Sequence, residues 1–160
     1  PVTAISLPAP RWNRPVQGTK HGAWSPYLEA RERALTASAD VALLVDDGAI
    51  IDGDRATPLL LDGDGTAWAA DSEAGGIDSV TLKVIIWGLK EEGIPFNRGR
   101  LHEEMIGRAR EMVLVGTGIG VARIAEIDGQ MVGMSEEGVL FKISSKILSE
   151  ALEDSWEVFR

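Results

Sequence analysis

The chain has 160 residues, 44% of them hydrophobic and 26% charged, which suits a single domain with a proper core. There is no cysteine, so disulfides, thiolate metal sites and cysteine nucleophiles are excluded, and His21 and His102 are too few and too far apart for a zinc site. A net charge of -9 predicts a surface that repels nucleic acid and anionic membrane. With no apolar run of membrane-spanning length and no signal-peptide pattern in Pro1 to Pro15, the expected compartment is the cytoplasm.

Val2 to Leu7 alternates weakly and reads as a strand. Pro8, Pro10 and Pro15 then give the opening fifteen residues the look of an extended connector. Ser25-Pro26 opens a helix, with serine as N-cap and proline at the first helical position. Tyr27, Ala30, Ala34 and Ala37 give it an apolar stripe. Three short apolar runs follow, at 41–45, 49–51 and 59–61, separated by Asp46-Asp47-Gly48, Asp52-Gly53-Asp54 and Asp62-Gly63-Asp64-Gly65. Such turn signals predict an antiparallel meander, with 66–70 as a fourth strand.

A second helix is expected over about 78–92, apolar around much of its circumference and therefore buried on several sides. Gly93 stops it. Residues 94–97 read as a strand, 101–110 as a short amphipathic helix, and 111–115 and 121–127 as strands. Leu140, Ile143, Ile147, Leu148, Ala151 and Leu152 define a closing helix. Strands and helices are mixed without regular alternation, which predicts an α+β domain rather than a doubly wound parallel sheet.

Four places carry candidate chemistry. Lys20, in the polar turn Gly18-Thr19-Lys20-His21-Gly22, could be a nucleophilic amine or a solvated surface charge. Gly116-Thr117-Gly118-Ile119-Gly120 fails the dinucleotide fingerprint, because a strand and not a helix follows. Its bare backbone N–H groups and the Thr117 hydroxyl suit either a phosphate or a plain turn. Gly76-Ile77-Asp78-Ser79 lies at a helix N-terminus, which favours anions but also needs ordinary capping. Asp52, followed by Gly53, could accept a hydrogen bond from a protonated heterocyclic nitrogen or be a solvated turn residue.

In this order and spacing, from about Gly18 to Gly133, these pieces resemble the class IV aminotransferase family, the fold type IV enzymes dependent on pyridoxal phosphate. The family includes branched-chain and D-amino-acid aminotransferases and aminodeoxychorismate lyases. The resemblance implies a barrel-like mixed or antiparallel sheet with flanking helices. Lys20 would be the Schiff-base lysine, and Lys20-His21 is similar to some of the lyases. Asp52-Gly53 falls where the family has glutamate-glycine, so Asp52 would face the pyridine nitrogen. Gly76, Ile77 and Asp78 resemble the glycine-isoleucine-threonine phosphate loop, Gly116 and Thr117 the second phosphate contact, and Ile127-Asp128-Gly129-Gln130 the closing hairpin.

Departures from the family pattern are the shorter carboxylate at Asp52, Asp54-Arg55-Ala56-Thr57 in place of small hydroxyl residues and asparagine, and Asp78 and Ser79 in place of threonine and arginine or glutamine. The resemblance also implies a smaller N-terminal domain that is missing here. Residues 1–15 would be the connector from it and 16–160 the cofactor-binding large domain. The expected activity is amino-group transfer between an amino acid and a 2-oxo acid. The alternatives are cleavage of aminodeoxychorismate to p-aminobenzoate and pyruvate, and a relative that has lost the cofactor. No metal is implied. A homodimer is, with Trp12, Trp24 and Trp156 free to pack against another chain or the missing domain, and Tyr27 either lines the site or belongs to the core.

Overall fold

The computed structural model describes residues 1–11, 18–20, 22–133 and 138–154. In chain order the elements are β1 (Val2–Pro8), α1 (Ser25–Thr36), β2 (Val41–Asp46), β3 (Ala49–Gly53), β4 (Thr57–Leu61), β5 (Ala67–Ala70) and α2 (Val80–Glu91). They continue with β6 (Phe96–Gly99), β7 (Leu101–His102), α3 (Glu103–Gly107), β8 (Glu111–Gly116), β9 (Gly120–Ile127), β10 (Gln130–Met131) and α4 (Val139–Asp154). The class is α+β, as expected.

Among the described residues the ten strands form one mixed sheet in the order β6-β5-β4-β8-β9-β1-β2-β3-β7, with β10 hydrogen-bonded to β9. β1 runs parallel to both β2 and β9, and β5 parallel to β6. The first half of β9 pairs with β8 and its second half with β1, so this strand joins the two parts of the sheet. Only Arg100 separates β6 at one edge from β7 at the other, and the sheet is thereby curled into a nearly closed, barrel-like form.

Most of these strands are covered on both faces, which is why they read as unbroken apolar runs. Val41, Leu43, Leu60, Met112, Leu114 and Ile124 fill the inside of the curl. Their neighbours Ala42 and Leu44 turn outward to Tyr27, Ala30 and Ala34 of α1. Leu59, Leu61, Val113 and Val115 turn outward to Leu82, Ile85 and Leu89 of α2 and Leu140 and Ile147 of α4. α2 and α4 cross closely at Gly88, where a Cβ would lie 2.5 Å from the Ile147 side chain. The Asp47-Gly48 and Asp128-Gly129 turns have positive φ at both residues, the type I′ geometry of tight hairpins.

Several expectations are corrected. The meander breaks after its first hairpin: β3 does not pair with β4, which lies between β5 and β8. The chain doubles back tightly at 53–56, where a Cβ on Gly53 would come within 2.4 Å of the Ala56 carbonyl oxygen. The helix expected over 101–110 is only Glu103–Gly107, because fully buried Leu101 pairs with Ile50 as part of β7. α2, expected to be buried on several sides, is covered on two, by the sheet and by α4. Val80 and Trp87 are 75% and 72% exposed. Ser25 does not cap α1 with its side chain but occupies the helix itself. The expected connector over 1–15 contains β1, an interior strand of the sheet. Trp12, His21 and Trp156 lie outside the described residues.

One charged residue organises the far end of the molecule. Glu111, 2% exposed at the start of β8, accepts hydrogen bonds from Leu140 N (2.7 Å) and Phe141 N (3.1 Å). A carboxylate on a strand thus supplies the cap for the first turn of α4.

Candidate active site

The site is a cleft of about 840 Å³ between α1, the ends of β3 and β8, and the N-terminus of α2. Lys20, Asp52, Ile77, Asp78, Gly116 and Thr117 all line it. Gly76 does not line it but packs behind, where a Cβ would lie 2.2 Å from the Ile51 carbonyl oxygen. Only a bare backbone fits there, so the loop before α2 lies directly against the end of β3.

Lys20 is exposed, and its Nζ lies 5.3 Å from the centroid of the Trp24 ring, within range of a cation–π contact. Trp24 in turn stacks on Tyr27, with centroids 4.0 Å apart and planes 5° from parallel. Tyr27 is buried beneath the tryptophan and belongs to the core; Trp24 is the aromatic residue that lines the cleft.

Asp52 is 2% exposed. Its Oδ1 accepts from Gly53 N and its Oδ2 from Ile77 N, both at 2.9 Å. Burial pushes the carboxyl up to about 7; the two N–H donors oppose that rise, and the nearby Asp54 adds to it. Asp54 is itself buried with one carboxyl oxygen unpartnered, and burial raises it as well, against the pull of Arg55 and Arg31. Arg55 donates to the Asp40 carbonyl oxygen at 2.8 Å. Arg55, which breaks the small-residue pattern expected here, lines a charged end of the cleft together with Arg31, whereas Asp54 is buried and does not line it.

The two glycine loops meet across the cleft. Thr117 Oγ1 and Thr81 Oγ1 are 3.2 Å apart, tying the β8–β9 turn to the first turn of α2. Ser79 caps that helix by accepting from Leu82 N at 3.2 Å. Asp78 does not stand as a lone negative charge beside it: its carboxylate pairs with Lys83 and, at 3.7 Å, with Arg98. The N–H groups of Ile77 and Asp78 are both engaged within the chain, Ile77 to Asp52 and Asp78 to the Gly18 carbonyl oxygen at 2.9 Å.

Thr81 and Arg31 are not singled out by the sequence, Trp24 reads there only as a packing residue, and Arg55 only as a departure from the family pattern. Thr81 follows a legible N-cap and lies on the helix's first turn, a usable signal; the other three come to the cleft only through tertiary packing. Among the described residues no group of three or more acidic, histidine or cysteine side chains is placed to hold a metal. Among them, too, no helix is long and apolar enough to cross a membrane.

A buried carboxylate, an amine, and a hydroxyl-bearing loop facing a helix N-terminus thus share one cleft. Residues 1–127 match the family model of class IV amino-transferases, and the chain belongs to that family. Solved structures agree on the fold. The branched-chain aminotransferase of Thermoproteus uzoniensis with norvaline superposes with a TM-score of 0.83 at 22% identity, covering 96% of this chain and 52% of that one. The branched-chain amino acid aminotransferase of Escherichia coli gives 0.82 at 20% identity, with 96% and 52% covered. A Legionella pneumophila protein assigned as a 4-amino-4-deoxychorismate lyase gives 0.80 at 18%, with 97% and 56% covered. At these identities the likeness is one of fold, and the chain spans about half the length of these structures. No curated protein sequence matches the chain significantly.

Proposed function

We propose that this chain is the cofactor-binding domain of a pyridoxal-phosphate-dependent aminotransferase, moving an amino group between an amino acid and a 2-oxo acid. The observation that carries the reading is the convergence of Lys20, Asp52 and Thr117 on one cleft. The residues fit the group. The Thr81 and Thr117 hydroxyls face each other beside a helix N-terminus, and Asp52 is a buried carboxylate on the cleft wall.

In that reading Thr117, Thr81 and the first turn of α2 hold the phosphate. Each Asp52 oxygen accepts one backbone N–H, which leaves acceptor capacity for a ring N–H. A cationic N–H there would also offset the cost of ionising so buried a group. When bound, pyridoxal phosphate supplies the electron sink that acidifies the α-carbon of an amino acid. Lys20 Nζ would hold the cofactor and, once the substrate amine has displaced it, would move a proton between the substrate's α-carbon and the cofactor, for which its amine must be neutral at the moment of transfer. Trp24 orients it through the ring contact. A smaller domain preceding this one would cover the cleft, and the working unit would be a cytoplasmic homodimer.

The complete protein incubated with pyridoxal phosphate is expected to show a visible band that borohydride bleaches, leaving a pyridoxyl group on the Lys20 peptide in mass spectrometry. Lys20→Ala should abolish both. A band that survives the substitution would refute the assignment of Lys20. The rival reading, a family member that takes no cofactor, is favoured by the short, doubly engaged Asp52 and by the occupied N–H groups of Ile77 and Asp78. It predicts no band at all.

A further inference from the structure

The structure assigns Asp52 a second task, as the positioning residue that fastens the loop before α2 and, through that loop, the turn that carries Lys20. The links can be followed atom by atom. Asp52 Oδ2 accepts from Ile77 N, which draws the Gly76–Asp78 segment onto the end of β3. At the next residue Asp78 N donates to the Gly18 carbonyl oxygen, two residues before Lys20. Both contacts need glycine. A Cβ at Gly76 would lie 2.2 Å from the Ile51 carbonyl oxygen, while Gly18, at φ +76°, would bring one to 3.3 Å from the Ser72 carbonyl oxygen. Gly75, at φ +117°, turns the chain into this segment.

Lys20 and Thr19 are exposed, and the lysine's tip lies against the Trp24 ring. Fixing the loop thus fixes Gly18, two residues from the amine. A glutamate at this position would carry its carboxylate one methylene further from β3. The shorter aspartate keeps it beside its own backbone, within reach of both Gly53 N and Ile77 N. The inference deepens the proposed function, since the turn is that of the proposed catalytic lysine, but its test uses no cofactor and so can fail independently.

Residue-resolved amide exchange in the full chain without pyridoxal phosphate provides that test, combined with the NMR signal of ¹³C-dimethylated Lys20, which the Trp24 ring shifts. Asp52→Ala is expected to lower protection of the Ile77 and Asp78 amides at least tenfold and to move the Lys20 signal towards its random-coil position. The Leu140 and Phe141 amides, held by Glu111, and the β4–β8 ladder should stay within twofold of the parent. If Asp52→Ala does not fold, Asp52→Asn is read the same way, with at least a threefold loss. Loss at Ile77 without loss at Asp78, an unmoved Lys20 signal, uniform loss across the molecule, or no loss at all would each overturn the inference.

Discussion

Asp52 is held between two opposed demands. Ionised, it is the better acceptor for Gly53 N and Ile77 N, but it lies almost wholly out of water. Burial wins: the carboxyl titrates near 7, well above its ordinary value of 3.8. The folded chain therefore binds this proton more tightly than the unfolded chain. Stability from this group is complete below about pH 4 and is lost as pH rises through 7, a span worth on the order of 4 kcal/mol. Asp54 shifts in the same direction, whereas Asp40 and Asp62 are lowered and act only below pH 4. Thermal melts from pH 5 to pH 8 should show the midpoint falling with pH in the parent protein and falling less in Asp52→Asn. Equal slopes would mean that Asp52 does not titrate in this window. From sequence alone Asp52 reads as a possible ring partner or a solvated turn residue. Neither its burial nor its bond to a residue 25 positions away is visible there, because both depend on the loop before α2 folding back onto β3.

At the scale of elements, α4 shows how a helix can borrow its cap. Glu111 leaves two backbone N–H groups of the first turn satisfied by one buried carboxylate. Glu111→Ala should cost about 3 kcal/mol, since a charge-assisted pair is lost and two donors are stranded. Denaturant melts should show the midpoint falling with little change in slope; a loss under about 1 kcal/mol would show that water replaces the carboxylate. The helices and most strands were legible, because the 80–91 and 139–154 periodicities and the Asp47-Gly48 and Asp128-Gly129 turns are local signals. Strand partnership was not. Runs such as Leu59–Leu61, apolar on both faces, carry no alternation to say which neighbour they pair with, and so β4 was expected beside β3 when it lies beside β8. Likewise Val80 and Trp87 look like core residues, yet only the packing of α2 against β8 and α4 decides which face stays out.

For the molecule as a whole, β1 is the test of where the unit begins. Its backbone pairs with β2 on one side and β9 on the other, Asp128 Oδ1 accepts from Ser6 N at 2.8 Å, and Asp40 Oδ2 accepts from Thr3 N at the same distance. A version of the chain starting at residue 16 would expose both of those strand edges and leave Ala4 and Leu7 out of the core. It is expected to lose cooperative unfolding, as followed by circular dichroism, while the chain from residue 1 retains it. Cooperative melting of the shortened chain would place the boundary of the folding unit after β1. The composition and the proline spacing favour a connector there; what they cannot convey is that a short apolar segment can be an interior strand when its partners lie far away in the chain.

That distance has a temporal side. β1 is hydrogen-bonded to β9, and Ser6 meets Asp128 across 122 positions of sequence. Pairings so remote carry a heavy loop-closure cost before they return any stabilisation, and domains built on them fold in milliseconds to seconds rather than microseconds. On the ribosome β1 and β2 can dock as soon as both have emerged, but the other edge of β1 stays open until β9 has been made. The hazard during synthesis is therefore an unpaired parallel edge on β1, and β9 is what removes it.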